Sequence, residues 1–174
     1  MHYIIGDVHG HYDTLMTLVA RLPEDATLIF VGDLIDRGPK SAEVVKWVRE
    51  GGHACVMGNH EEMMVQYGTS FMTMYPRNTS TSFLSMWYGN GGLETLLSYG
   101  LVQKEEGALL CVEDTEALAQ FKDDLGWMDA LPLYIELPHK MGERPVVVSH
   151  ANCADVWQHH DNPAGVETFR EKAL

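Results

Sequence analysis

The 174-residue chain is short of three things, and each shortage excludes a class. Cysteine occurs only at Cys55, Cys111 and Cys153. The number is odd and no pair has C-x-x-C spacing. That argues against a disulfide framework or a structural zinc site, and for a reducing compartment. Basic residues are also scarce: 12 Lys and Arg stand against 25 Asp and Glu, for a formal net charge of -13. Such a chain is not expected to bind a nucleic acid backbone non-specifically. No apolar run approaches the ~20 residues of a membrane span. Nor does the chain open with a basic segment followed by an apolar one, so no signal peptide and no membrane partner are expected, and a cytoplasmic location is. Hydrophobic residues make up 45 %, enough for a single domain over residues 1–174 with a real core.

What is present is concentrated where short apolar runs end. Leu28-Ile29-Phe30-Val31 reads as a buried strand and runs into Gly32-Asp33-Leu34-Ile35-Asp36-Arg37-Gly38-Pro39. Tyr3-Ile4-Ile5 runs into Gly6-Asp7-Val8-His9-Gly10, and Ala54-Cys55-Val56-Met57 into Gly58-Asn59-His60-Glu61. Strand, Gly, Asp or Asn, then His or Asp thus recurs three times in the first 62 residues. In an open α/β sheet the ends of the strands are where ligands bind.

Between these strands the apolar spacing is helical. Leu15, Leu18, Val19 and Leu22 mark one helix, which stops before Pro23 and which Asp13 or a neighbour could cap. Val44, Val45, Trp47 and Val48 mark a second, with Ser41 as its expected cap and Gly51-Gly52 as its end. The start of the chain is therefore β-α-β-α-β, a parallel sheet with right-handed crossovers. Helices are also expected at His60 to Tyr67, from Asn90-Gly91-Gly92 to Tyr99, at Thr115 to Leu125 and near the end. Gly68 to Gly89 reads as an irregular excursion. Strands are expected at Leu133 to Leu137 and Val146 to Val148, the latter ending at Ser149-His150-Ala151-Asn152.

Asp7 and His9, one residue apart, project to the same side of an extended segment. A hard carboxylate with an imidazole suits Mn, Fe or Zn. Asp33 has two oxygens and could bridge two ions; Asn59 adds a neutral oxygen and His150 a nitrogen. A shared carboxylate among five ligands describes a two-metal site for phosphoryl displacement. Arg37 would hold phosphate oxygens in a fork. His60 is placed to protonate a leaving oxygen, and Asp36 could pair with it and fix its tautomer. Plainer roles compete. Asp36 and Arg37 could form a local ion pair capping the second helix. Glu61 and Glu62 read as first-turn helix residues favoured by the dipole. His2, His11, His53 and His139 read as surface or loop residues, and the methionines at 63, 64, 72 and 74 as packing or a substrate-facing wall. Trp87 has no assignable role.

The three motifs resemble the signatures of metal-dependent phosphoprotein phosphatases, the PPP-type calcineurin-like metallophosphoesterases. Within them the chain most resembles the small bacterial and bacteriophage serine/threonine protein phosphatases. Val148-Ser149-His150-Ala151 looks like the family's later ligand histidine, and Asn90-Gly91-Gly92 like a motif of its short members. The resemblance covers residues 3 to about 151 and rests on ordered motifs. It implies an αββα sandwich and two divalent ions, Mn²⁺ first with Fe or Zn as alternatives. Asp7, His9 and Asp33 would hold one ion; Asp33, Asn59, His150 and a further histidine would hold the other. It also implies direct attack by a metal-bridging hydroxide, with phosphoserine or phosphothreonine in proteins as substrate.

Two alternatives stand beside that expectation. One is a dinucleoside-tetraphosphate hydrolase; Asp36 counts against it, because the symmetrically cleaving relatives resemble this chain except there. The other is a truncated, weakly active, metal-binding interaction module. Its basis is that the family's further histidine has no Gly-His step after His150. His159 and His160 lie in a polar stretch, and no clear motif marks Arg170 as a second phosphate-binding arginine. The C-terminal strands are therefore expected to be missing, and the second ion to bind weakly.

Overall fold

A computed structural model of the chain describes residues 1–75 and 85–174. The expected parallel start is there: β1 (His2–Ile5), β2 (Thr27–Phe30) and β3 (Ala54–Cys55) form a parallel sheet in the order β1-β2-β3. Leu28, Ile29 and Phe30 are all buried, as a central strand covered on both faces requires. The crossovers are α1 (Tyr12–Val19) and α2 (Ser41–Glu50). Val44, Val45 and Val48 seal α2 into the core, while Trp47 packs on His53 and edge-on to Phe30.

Neither expected helix cap forms. The N-caps are His11 and Lys40, without a side-chain hydrogen bond. Asp13 is instead paired with Lys40 across the two helices at 2.7 Å, and the Ser41 hydroxyl accepts the Asp36 amide at 3.1 Å. A hydroxyl facing a buried donor in the next loop has a stronger claim on it than on its own helix end.

The helix expected from His60 to Tyr67 is longer: α3 spans Asn59–Met74 and runs through Gly68. That glycine is a packing notch. A Cβ there would lie 2.8 Å from Leu125 Cδ1, because α6 (Thr115–Asp129) crosses at this point. The irregular excursion expected from Gly68 is therefore helical at its start. Residues 76–84 of it lie outside the described residues, and the chain resumes with α4 (Ser85–Gly89) and α5 (Gly92–Ser98).

A hairpin absent from the sequence reading follows, β4 (Val102–Glu105) with β5 (Ala108–Cys111). Its two-residue turn, Glu106-Gly107, has both φ angles positive (49° and 83°), the hand that suits twisted strands. The later strands are longer than their apolar runs, since antiparallel pairing carries polar residues along. β6 (Tyr134–Met141) pairs with β7 (Arg144–Ser149), with an irregularity between Leu137 and Lys140. His139 meets the His2 ring at 5.5 Å, and His150 bonds to the Val31 carbonyl at 2.8 Å. The ribbon therefore runs along the parallel sheet and brings the end of β7 to the ends of β1 and β2. Among the described residues there are three sheets: the three parallel strands, the β4-β5 hairpin and this ribbon. A short 3₁₀ helix (Ala154–His159) and α7 (Val166–Ala173) close the chain, the latter helical as expected.

Candidate active site

Three strand-end loops meet here and hold one another. The amides of Val8 and His9 donate to the Asp33 carbonyl at 2.9 Å, and that of Gly10 to the Leu34 carbonyl at 2.8 Å. Gly32, at φ 88°, leaves no room for a Cβ beside Gly58. Glu61 ties the second loop to the third, its carboxylate accepting the amides of Asp33 at 2.7 Å, Leu34 at 2.8 Å and Gly58 at 3.0 Å. It lies in the first turn of α3, as expected, and is fully buried there. Burial, with the Asp33 charge, pushes its pKa up to about 7 against the pull of the three amides. His9, Asp33, Asp36 and Arg37 all adopt positive φ, at 46°, 50°, 71° and 67°.

These loops bring the residues singled out in the sequence together around Asp33. One group comprises His9, Asp33 and His60, the other Asp7, Asp33 and His150, each with ligand atoms within 4.8 Å of one another. Asp33 divides its oxygens between them. Oδ2 lies 3.6 Å from His9 Nε2, and Oδ1 lies 3.7 Å from His150 Nε2. Asn59 Oδ1 stands 2.9 Å from the same His150 nitrogen. The grouping differs from the expected sets in that Asp7 clusters with His150 as well as lying 4.0 Å from His9, and His60 enters the first group.

The imidazoles fit a metal. His9 Nδ1 donates to the Ile35 carbonyl at 2.8 Å, and His150 Nδ1 to the Val31 carbonyl at 2.8 Å. Each ring thereby turns its Nε2 lone pair into the site, the orientation that outer hydrogen bonds impose on metal-ligating histidines. At His150 that lone pair faces another acceptor, the Asn59 oxygen, an opposition that a shared cation resolves.

The other side of the site is a hydrogen-bonded chain. Arg37 donates to His9 Nε2 at 2.6 Å and to His60 Nε2 at 2.9 Å. His60 Nδ1 donates to Asp36 Oδ2 at 2.6 Å. Burial would lower the His60 pKa, but the Asp36 hydrogen bond and the charges of Asp33 and Asp36 outweigh it and, against Arg37, hold it above the ordinary histidine value. Asp36 is fully buried and does not pair with Arg37 as a helix cap. Its carboxylate also accepts from the Trp87 indole at 3.0 Å and the Thr95 hydroxyl at 2.6 Å. Trp87, Thr95 and Glu61 are the residues that sequence reasoning missed. The Gly91-Gly92 step beside the first two was the only local sign.

His159 and His160 belong to neither metal-capable group. The His160 ring stacks on Trp157 at 4.1 Å, where its Nδ1 meets the Trp157 carbonyl. Arg170 is paired with Glu62 at 2.6 Å.

The family model for calcineurin-like phosphoesterases matches residues 3–172. The chain belongs to this family. It is 34 % identical over 163 residues to bis(5'-nucleosyl)-tetraphosphatase PrpE (asymmetrical) of Halalkalibacterium halodurans, covering 85 % of this chain and 55 % of that protein. It is 35 % identical over 109 residues to the symmetrical bis(5'-nucleosyl)-tetraphosphatase of Klebsiella pneumoniae, covering 60 % of this chain and 39 % of that one. Among solved structures it is similar to a metallophosphoesterase from Sphaerobacter thermophilus at 19 % identity and a TM-score of 0.45, covering 77 % of this chain and 41 % of that one. The chain thus spans about half the length of the curated relatives it matches. These relatives carry tetraphosphatase names, not protein-phosphatase names. Calcineurin-like phosphoesterases use divalent metals, and the two groups around Asp33 could hold such ions here.

Proposed function

We propose that this family member is a hydrolase of dinucleoside polyphosphates, cleaving a phosphoanhydride in the chain between the nucleosides. The observation that carries the substrate class is the 34 % identity, over 85 % of the chain, to a bis(5'-nucleosyl)-tetraphosphatase. Asp7, His9, Asp33, Asn59 and His150 are the residues that would hold two divalent ions, Mn²⁺ first. Such ions supply Lewis acidity and a hydroxide nucleophile at neutral pH. The chain's own groups do the rest. Arg37 leaves the two imidazoles to donate its fork to phosphate oxygens, opposing the charge that develops there. His60, its Nδ1 held by Asp36, takes up a proton from solvent at Nε2 once Arg37 has left it and passes that proton to the departing oxygen.

The Asp36–His60 pair favours a second reading, a phosphomonoesterase acting on phosphoserine or phosphothreonine in proteins. An alkoxide is a poor leaving group and needs the proton more than a nucleotide does. The purified protein, supplied with Mn²⁺, should be assayed on diadenosine tetraphosphate, a phosphoserine peptide and p-nitrophenyl phosphate. The proposal expects the highest kcat/KM on the dinucleotide. A higher value on the phosphopeptide would replace it with the second reading. Tight metal binding without turnover on any substrate would point to the weakly active binding module.

A further inference from the structure

We propose that Trp87 and Thr95 are positioning residues, which aim the Asp36 carboxylate at His60 and so fix the nitrogen that His60 turns to the substrate. The inference rests on the reading above, in which His60 donates the proton. Asp36 sits in a loop, at φ 71°, so no helix or strand dictates where its side chain goes. Its donors do. Thr95 Oγ1 donates to Oδ1 at 2.6 Å, and the Trp87 indole N–H lies 3.0 Å from Oδ2 and 3.1 Å from Oδ1. Together they set the plane of the carboxylate and leave Oδ2 pointing at His60 Nδ1, 2.6 Å away. The same threonine oxygen accepts the Asp36 amide at 2.9 Å, so one residue holds both backbone and side chain.

The segment that carries these two residues also grips Arg37. The Arg37 amide donates to the Gly91 carbonyl at 3.2 Å. A Cβ on Gly91 would lie 2.5 Å from that amide nitrogen, and one on Gly92 would lie 2.5 Å from the Trp87 indole. Residues 87–95 therefore form a brace over Asp36 and Arg37, which Gly91 lets approach Arg37 closely and Gly92 lets fold tightly on Trp87. Trp87 and Asp36 are both fully buried, so the indole N–H and the carboxylate have no water to turn to. Filling the core would need only the ring of Trp87 and the methyl of Thr95. The indole N–H goes to Asp36, and the Thr95 hydroxyl lies nearer to Asp36 Oδ1, at 2.6 Å, than to the Ser41 hydroxyl, at 3.2 Å, which is what a positioning role adds to packing.

The variants that separate the two roles are Trp87→Phe, which keeps an aromatic ring, Thr95→Val, which keeps the shape, and Thr95→Ser, which returns the hydroxyl. Turnover is measured on an alkyl phosphate, whose leaving group needs a proton, and on p-nitrophenyl phosphate, whose leaving group needs it less. Loss of general acid catalysis costs ~10²–10⁴-fold. A misaimed acid should lose part of that, ~10-fold or more in kcat on the alkyl phosphate, with a distinctly smaller loss on the aryl phosphate. Thr95→Ser should restore the alkyl rate. Equal losses on both substrates, or no rescue by serine, would reduce the two residues to packing.

If the parent protein hydrolyses neither these two compounds nor diadenosine tetraphosphate, the proposed function fails while the positioning claim is still decided by NMR. The proton on His60 Nδ1, identified by its absence in His60→Gln, should shift or broaden in Trp87→Phe and Thr95→Val and return in Thr95→Ser. An unmoved resonance in the first two would overturn the inference. Should Trp87→Phe not fold, the threonine pair alone decides it.

Discussion

Phe30, Leu34, Ile35 and Val56, beneath the loops that carry Asp33 and Asn59, are fully buried, in the part of the chain from which most of the core is built. His150 stands on different ground. The cluster behind β7 and α7 has only Cys153, Phe169 and Ala173 as buried members, with Leu133, Tyr134, Val156 and Trp157 packed against them. Yet His150 reaches the same site, tied by its bond to Val31 and by the Ala151 amide donating to the Ala173 carbonyl at 2.9 Å. The contrast teaches that one wall of the site is as firm as the core, while the other depends on a small aromatic cluster and the seating of the last helix. Local opening is expected where buried apolar contacts are few.

Asp33 joins the two walls, so its loss should have the largest effect. Asp33→Asn keeps the shape and removes the charge shared by both groups. Turnover should fall by more than ~10²-fold, with loss of bound metal, because it neutralises the carboxylate proposed to serve both ions, where even outer partners matter ~10–100-fold. Metal analysis with kinetics checks this, and two retained ions with near-normal turnover would break the idea of a shared carboxylate.

The next effect contrasts two phenylalanines. Phe121 packs against Tyr99 and Phe71 in the main core, and Phe169 against Tyr134 and Trp157 in the small cluster. Phe121→Ala should lower global stability by ~3–5 kcal/mol. Phe169→Ala should instead release mainly the amides of β7 and α7 in hydrogen exchange, and weaken metal binding through His150. Equal exposure of β2 in both variants would show that the two walls unfold as one.

The smallest effect lies on the firm side. Burial lowers the pKa of His53, so the folded form takes a proton less readily than the unfolded chain. Its contribution to stability is present above the ordinary histidine pKa and lost as pH falls through the folded value. Thermal unfolding of the parent and of His53→Phe, compared between pH 7 and pH 5, should show a steeper fall for the parent. Parallel curves would remove His53 from the account.

Much of this molecule was legible because its site lies at strand ends, where an apolar run followed by Gly and a polar residue fixes position without knowledge of tertiary contacts. Asp7, His9, Asp33, Asn59, His60 and His150 were found that way, and the structure brings them together. Glu61, Trp87 and Thr95 were not, because their partners lie 28, 51 and 59 residues away and no period in the sequence marks such a bond. Gly68 misled for a related reason. A glycine serving a neighbouring helix looks, in the sequence, like the end of its own. The Glu106-Gly107 turn was missed because glutamate is an unusual occupant of a left-handed position.

That same backbone hand has a consequence for selection. Of the five non-glycine residues with positive φ among the described residues, four belong to the site: His9, Asp33, Asp36 and Arg37. Glycine adopts this hand freely, whereas other residues do so at a cost of about 1–2 kcal/mol. Arg37 is exposed, so little packing would be lost in exchanging it. A library of variants ranked by heat resistance alone would therefore drift toward glycine at position 37, erasing the guanidinium as it climbed. Only pressure on what the guanidinium grips keeps an arginine where the fold by itself would prefer none.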